Sequence, residues 1–114
     1  MKKEPMIFIQ HMLGAINDIH AYIEGMDKTS FFKDKKTQDA VIRKLEIIGE
    51  AVKNLPLEFT KKYHQIQWSE IAKMRDRLIH GYFDVDLGLT YDILASDLPK
   101  LKKQIEKILE DIKG

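Results

Sequence analysis

The stretch WSEIAKMRDRLIHGYF, Trp68 to Phe83, decides how this sequence is interpreted. At about 100° per residue, several apolar side chains fall within about 80° of Trp68 and form one helical face: Ile71, Ala72, Leu78, Ile79 and Tyr82. Arg75 falls about 20° from Trp68 on the same count, which places a cation at the centre of the face expected to be buried. Because an unpaired buried guanidinium is costly, we expect Arg75 to face either a carboxylate or a bound anion.

The rest of the chain also has the apolar spacing of helices. A first helix is predicted from near Pro5 to near Gly25, and a second is stopped by Pro56. Gly49 lies at the edge of the apolar arc of the second helix, where a neighbouring helix could approach closely. The connections DKTSFFKDKKT (27–37) and LPLEFTKKYHQIQ (55–67) are expected to be polar or irregular, the second with a helical turn.

The last segment has an unbroken apolar series, which Pro99 is expected to kink or split, with Asp97 as a possible cap. No stretch alternates with period two for long enough to predict a strand. The sequence therefore predicts an all-α fold: a four-helix bundle with a short extra helical turn and a Pro-kinked or split C-terminal helix. Residues 1–114 are expected to form a single domain, since a chain of this length buries enough surface for one core.

Composition restricts the class of protein. The 114 residues carry 19 basic and 18 acidic side chains, which argues against a broad basic surface for long nucleic acids but permits a local phosphate site. There are no cysteines, so disulfides and thiolate metal sites are excluded and a reducing compartment is expected. The amphipathic start lacks a membrane-length apolar run, and we expect a cytoplasmic protein without a membrane segment.

The end of the Trp68 helix contains residue types suited to chemistry on a phosphate. His80 follows Arg75 by five residues, about 140° around an unbroken helix, so the helix must end for the two to meet. Gly81 is a suitable residue to end it near His80. Asp76 lies four residues before His80, where it could orient the imidazole. Tyr82, on the helical count, projects about where Arg75 does.

The pattern R-x-x-x-x-H-x-Y resembles the HEPN (higher eukaryotes and prokaryotes nucleotide-binding) domain. More narrowly, it is similar to the HepT toxins that pair with MntA-type nucleotidyltransferase antitoxins. The matching residues are Arg75, Asp76, His80 and Tyr82. The segment RKLEIIGEAVKNL (43–55) also resembles that family in order and spacing, so the likeness covers nearly the whole chain.

The resemblance implies a metal-independent endoribonuclease toxin that needs no cofactor. In that chemistry the ribose 2′-hydroxyl attacks the adjacent phosphate, with His80 as general acid or base and Arg75 binding the phosphate, assisted by Asp76. The resemblance also implies that the antitoxin attaches AMP to Tyr82. A homodimer is expected because transphosphorylation requires both a base and an acid. The wide apolar stripes of the helices would also leave apolar surface exposed in a monomer. The stripes are flanked by Phe8, Tyr22 and Met26 on one helix and by Ala40, Ile47 and Ala51 on another.

Other interpretations remain open at this point. Arg75 can be a structural arginine paired with Asp76 or with a carboxylate on another helix, and His80 a helix-end histidine favoured by the dipole. The protein could then be a non-catalytic nucleotide-binding or nucleotidyltransferase-associated subunit, or an interaction bundle. If it cleaves RNA, both tRNA and mRNA are possible targets.

Several further charged or titratable residues have no assigned role. His11, His20 and His64 form no metal-ligand pattern, so no metal site is expected. Lys61 and Lys62 are close in sequence to an aromatic residue, and the segment FFKDKK (31–36) also combines cations with aromatic residues, as some RNA-binding sites do. Solvated loops would account for both segments equally well. Glu46 and Glu50 lie on the polar side of the second helix, where they are solvated or line an interface or cleft.

Overall fold

A computed structural model describes residues 4–81 and 84–113, most of which are helical. The elements are α1 (Pro5–Ile23), α2 (Lys28–Lys33), α3 (Lys35–Lys53), α4 (Leu57–Lys62), α5 (Trp68–Ala72), α6 (Met74–Leu78), β1 (Ile79–His80), β2 (Asp84–Val85), α7 (Leu87–Asp92), a π-helical segment (Ile93–Asp97) and α8 (Leu98–Lys113). The prediction of an all-α, HEPN-like bundle is confirmed. The small antiparallel pair β1–β2, with Ile79 opposite Val85, was not predicted, because two-residue strands leave no periodic signal.

Helix α1 packs against α3 and α8. Pro5 starts α1 at its first turn, and Gly25 follows its end with φ of 78°. Both helix ends therefore lie where the sequence predicted them. The core side chains with no exposed surface include Ile9, Met12, Ile16, Ile19, Phe31, Val41, Ile48, Leu78, Leu98 and Ile105.

The segment 27–37 is more regular than predicted. The side chain of Asp27 accepts a hydrogen bond from the backbone N–H of Ser30 at 2.8 Å, and Asp34 accepts one from Thr37 at 3.0 Å. These bonds lower the pKa of both carboxyl groups. Each aspartate caps a helix, α2 and α3 respectively. The expected polar connection is thus a short helix, and Phe31 at its centre is fully buried.

The helix expected from Trp68 to near Gly81 is interrupted at Lys73. The backbone N–H of Lys73 is shared between the carbonyl groups of Ile71 and Ser69, and a new helical turn begins at Met74. After this break, Met74 and Leu78 are the buried residues of the new turn. Arg75, predicted at the centre of the buried face, instead has a side chain that is 48% exposed. That prediction was wrong because the count of about 100° per residue holds only along an unbroken helix.

The C-terminal helical series is interrupted directly before Pro99. The backbone N–H of Leu98 donates to the carbonyl of Ile93, the i to i−5 spacing of a π-helix. Proline cannot donate a backbone hydrogen bond, and the wider π turn lies where that constraint applies. Asp97 belongs to the π-helical segment, so the interruption is a change of helical pitch and not a capped break.

Part of the apolar surface expected to remain exposed is covered within one chain. Phe8 and Ala51 are buried at 8% and 5% exposure, and Ile47 packs against the core. Tyr22 does remain exposed, at 39%. The wide stripes are therefore a weaker argument for a homodimer than the sequence suggested.

Candidate active site

Arg75 lies in the first turn of α6 and makes its closest contact with a different helix. Its Nε donates to Oε2 of Glu46, on α3, at 2.9 Å. Its Nη1 lies 3.7 Å from Oδ1 of Asp76, within ion-pair range but too far for a hydrogen bond. Of the two partners considered for Arg75, a carboxylate is therefore the one in contact. We call Glu46, Arg75 and Asp76 the arginine cluster.

A close approach between α3 and α5 allows this contact. A Cβ atom added at Gly49 would lie 3.3 Å from the carbonyl oxygen of Ala72 and 3.5 Å from that of Ile71. Glu46 precedes Gly49 by three residues, so both lie on the side of α3 that faces α5 and α6. The prediction that a neighbouring helix approaches Gly49 is confirmed. The absence of a side chain there lets α3 come close enough for Glu46 to reach Arg75.

His80 lies on β1, two residues after α6 ends at Leu78, and is exposed. Asp84 is its partner across the strand pair, and the backbone N–H of Asp86 donates to the carbonyl of Leu78 at 2.8 Å. Gly81 follows with φ of 79°, a conformation that favours glycine. The helix therefore ends before His80, slightly earlier than predicted.

The early end of α6 changes the expected role of Asp76. Asp76 and His80 do not share a helix, so the expected i, i+4 pairing has no structural basis. Within residues 4–81 and 84–113, no hydrogen bond or ion pair joins His80 to Arg75 or Asp76. The carboxylate of Asp76 lies instead beside Arg75, and its side chain is 70% exposed. Tyr82, the predicted site of AMP attachment, lies outside the described residues.

Arg75, Asp76 and His80 are all exposed. Arg75 uses Nε for Glu46, and its Nη2 and its Nη1, which lies 3.7 Å from Oδ1 of Asp76, are donors that a further anion can accept from. A cavity of about 210 Å³ lies between α5–α6 and α8, but its lining includes Arg77 and not Arg75, Asp76 or His80. The residues singled out from the sequence therefore lie on an accessible surface, which suits a polymeric ligand better than a small enclosed one.

The described residues offer neither a metal site nor a membrane-spanning helix. Across the described part of the chain, no group of three or more His, Cys, Asp or Glu side chains is arranged to hold a metal ion. Among those same residues, no helix is long and apolar enough to cross a membrane.

Comparison with known proteins identifies the family. The profile of the family described as "Ribonuclease HepT-like" matches residues 12–108. The chain belongs to the HepT-like ribonuclease family. This match covers the arginine cluster and His80, and it confirms the resemblance stated from the R-x-x-x-x-H-x-Y pattern. No solved structure matches the chain.

Several curated relatives support the HepT-like assignment. The chain is 51% identical over 112 residues to a Methanocaldococcus jannaschii protein named "Gamma-glutamylcyclotransferase and putative RNase". That match covers 98% of this chain but 50% of the relative, so the chain spans half the length of that protein. It is 46% identical to another M. jannaschii protein, a "Putative RNase", with 99% of this chain and 93% of that protein covered. A "Probable ribonuclease HepT" of Thermococcus cleftensis is 43% identical, with 95% and 98% covered.

Glu46 is the member of the cluster to which the sequence assigned no role. It was placed on the polar side of its helix, and its side chain is 31% exposed. The useful signal was its spacing of three residues from Gly49, the position at which a close helix approach was expected. Its partner Arg75 is 29 residues away in sequence, a separation that no periodicity can connect.

Proposed function

We propose that this HepT-like protein is a metal-independent endoribonuclease and the toxin of a toxin–antitoxin pair. The observation that carries the proposal is the placement of two exposed side chains, Arg75 at the start of α6 and His80 on β1 directly after it. An arginine can donate hydrogen bonds to phosphate oxygens and a histidine can act as general acid or base, so both residue types suit phosphodiester cleavage. Family membership and the ribonuclease names of its relatives support the same activity.

The proposed reaction is an internal transphosphorylation. A base removes the proton of the ribose 2′-hydroxyl, the 2′-oxygen bonds to the adjacent phosphorus, and the bond from phosphorus to the 5′-oxygen breaks. An acid protonates the leaving 5′-oxygen, and a 2′,3′-cyclic phosphate remains. His80 serves as general acid or base, and Arg75 stabilises the negative charge that grows on the phosphate oxygens. Asp76, beside the guanidinium, assists Arg75 and not the imidazole.

We further propose that the active form is a homodimer. The reaction needs a proton acceptor and a proton donor, whereas one chain offers one histidine in the R-x-x-x-x-H-x-Y pattern. A two-fold axis near β1 would bring two Arg75–His80 pairs into one cleft. Sedimentation at micromolar concentration should give twice the chain mass of 13.3 kDa. A monomer that cleaves RNA at full rate would show that the composite cleft is unnecessary.

The activity is tested by incubating purified protein with RNA in EDTA. We expect cleavage products that end in a 2′,3′-cyclic phosphate. His80→Ala should abolish cleavage and the growth arrest caused by expression, with circular dichroism unchanged because the side chain is exposed. His64→Ala is the matched control, since His64 is also exposed but lies between α4 and α5. Loss of activity on chelation would indicate a metal enzyme instead.

Regulation by an MntA-type nucleotidyltransferase forms the last part of the proposal. AMP attached to Tyr82 would bring a bulky base and a negative phosphate next to His80, and that phosphate would compete with RNA for Arg75. Tyr82→Phe should remain toxic but escape silencing when the nucleotidyltransferase is co-expressed. Intact-mass spectra should show AMP on the wild type alone. If the variant is still modified and silenced, the acceptor is another residue.

A second function is favoured by one contact. Arg75 is already paired with Glu46 at 2.9 Å, as expected of an arginine that supports structure in a non-catalytic nucleotide-binding or nucleotidyltransferase-associated subunit. In that case the purified protein would not cleave RNA, with or without metal, but would bind a nucleotide or the nucleotidyltransferase. The incubation in EDTA and its repeat with Mg²⁺ distinguish the two functions.

A further inference from the structure

We infer that Glu46 is a positioning residue, which holds the Arg75 guanidinium in the orientation that receives a phosphate of the RNA backbone. The inference rests on the proposed ribonuclease function. It starts from the hydrogen bond of 2.9 Å between Arg75 Nε and Glu46 Oε2, which joins α6 to α3.

The geometry of the guanidinium shows how this contact would act. Arginine has five N–H donors in one plane, arranged so that two parallel bonds can reach one phosphate or carboxylate. When Nε donates to Glu46, the orientation of the guanidinium plane is restricted. Nη1 lies 3.7 Å from Asp76, beyond hydrogen-bond distance, so Nη1 and Nη2 can both still donate to a phosphate. The long side chain otherwise has many rotamers, so fixing one before the ligand arrives lowers the entropy that binding must remove.

The two helices differ in a way that makes Glu46 the anchor. Glu46 lies in the middle of α3, a helix of 19 residues, whereas α6 has five residues and follows the break at Lys73. Gly49 fixes the distance between α3 and α5 through its close approach to Ala72. Asp76 is a weaker anchor, because its carboxylate is 3.7 Å from Arg75 and 70% exposed.

The test compares two substitutions of Glu46 with a control on the same helix. Glu46→Ala removes the acceptor, and we expect kcat/KM for RNA cleavage to fall about tenfold, as for other losses of alignment. Glu46→Gln keeps an amide oxygen that can accept from Nε, so it should recover most of that loss. Glu50→Ala is the control: Glu50 is exposed, one turn further along α3, and pairs with Lys53 at 3.3 Å. It should match the wild type.

A double-mutant cycle shows whether Glu46 acts through Arg75. Arg75→Lys removes Nε, so adding Glu46→Ala to it should have almost no further effect. Independent, additive losses would overturn the inference. The inference would also be overturned if Glu46→Gln and Glu46→Ala lost the same amount of kcat/KM and the acidic limb of the pH–rate profile disappeared. Glu46 would then be a general base. A lower urea midpoint with unchanged kcat/KM would show a merely structural role.

Failure of the inference is distinguishable from failure of the proposed function. If the wild type does not cleave RNA, the ribonuclease proposal fails by itself. Positioning is then tested by binding of an uncleavable oligonucleotide with 2′-deoxyribose, measured by fluorescence anisotropy. A Kd about tenfold higher for Glu46→Ala than for Glu46→Gln would support it. Equal Kd values, or no binding by any variant, would overturn it.

Discussion

Replacing Gly49 by alanine tests the close approach of α3 to α5 on which the arginine cluster depends. The added methyl group would lie 3.3 Å from the carbonyl oxygen of Ala72, closer than the 3.4–4 Å of an ordinary van der Waals contact. Because the neighbouring atom belongs to the backbone, it cannot rotate away as a side chain would. Either α5 moves by a few tenths of an ångström or the strain remains.

Two opposing effects determine how much Gly49→Ala changes the free energy of unfolding. Alanine is favoured over glycine in a helix interior by about 1 kcal/mol. Overpacking a close contact costs about 1–3 kcal/mol. We therefore expect Gly49→Ala to lower the free energy of unfolding by about 0–2 kcal/mol. Gly14→Ala is the matched control, since Gly14 lies within α1 and an added Cβ would meet no atom within 4 Å. It should raise the free energy of unfolding by about 1 kcal/mol.

Urea unfolding of both variants, followed by circular dichroism, measures the difference, which we expect to be about 1–3 kcal/mol. RNA cleavage should fall in Gly49→Ala alone, because a displaced α5–α6 segment separates Arg75 from Glu46. If Gly49→Ala is as stable as Gly14→Ala and equally active, the close approach does not position the cluster, and that part of the reasoning is wrong.

Three further predictions follow from individual contacts. Tyr63→Phe removes a hydrogen bond of 2.7 Å to Asp111, which should cost about 1 kcal/mol of unfolding free energy at neutral pH. That bond raises the pKa of the Tyr63 hydroxyl above its usual 10.0, so the bond stabilises the fold fully below pH 10. As pH rises further, the urea midpoints of the wild type and Tyr63→Phe should converge. Asp34→Ala removes the cap of α3 and should lower the free energy of unfolding. The backbone N–H of Thr37 lowers the pKa of the Asp34 carboxyl from 3.8. The difference from the wild type should therefore be full at neutral pH and disappear as pH falls through that lower pKa. Arg75→Met should abolish RNA cleavage while the free energy of unfolding changes by less than about 1 kcal/mol, since an exposed ion pair contributes no more than that. An unfolded variant would show that Arg75 is structural.

The sequence predicted the parts of the fold that depend on long, unbroken periodicity. Helix α1 lies between its predicted signals, Pro5 and Gly25, and α3 ends shortly before Pro56. These signals are reliable because proline and glycine restrict the backbone directly. The short helix α2 was missed although Asp27 and Asp34 each precede a helix as capping residues. Its six residues are too few for an apolar period to be visible beside the polar side chains.

The candidate site was predicted in its residue types but not in its arrangement. Arg75 and His80 were identified from the pattern R-x-x-x-x-H-x-Y, and the family match confirms that this pattern belongs to a HepT-like chain. The prediction of their surroundings was wrong because one residue, Lys73, ends one helical turn and starts another. No capping residue or proline marks that break in the sequence. After the break, Met74 and Leu78 are buried, a tertiary contact that the local sequence does not signal.

Because Arg75 is exposed, its pairing with Glu46 contributes little to the stability of the fold. A buried guanidinium would need a carboxylate simply to offset desolvation. Arg75 is 48% exposed and Glu46 31% exposed, so water already solvates part of both groups. Exposed ion pairs of this kind contribute about 0–1 kcal/mol to stability, too little for the fold to depend on this one. Fixing a long cation on a surface reduces its freedom without stabilising the protein much, which is useful where the cation must meet an anionic ligand in one orientation. The structure therefore pairs Nε of Arg75 with the carboxylate of Glu46 at 2.9 Å. Binding of a phosphate by the Nη groups is the part that belongs to the proposed function and that the Glu46 variants test.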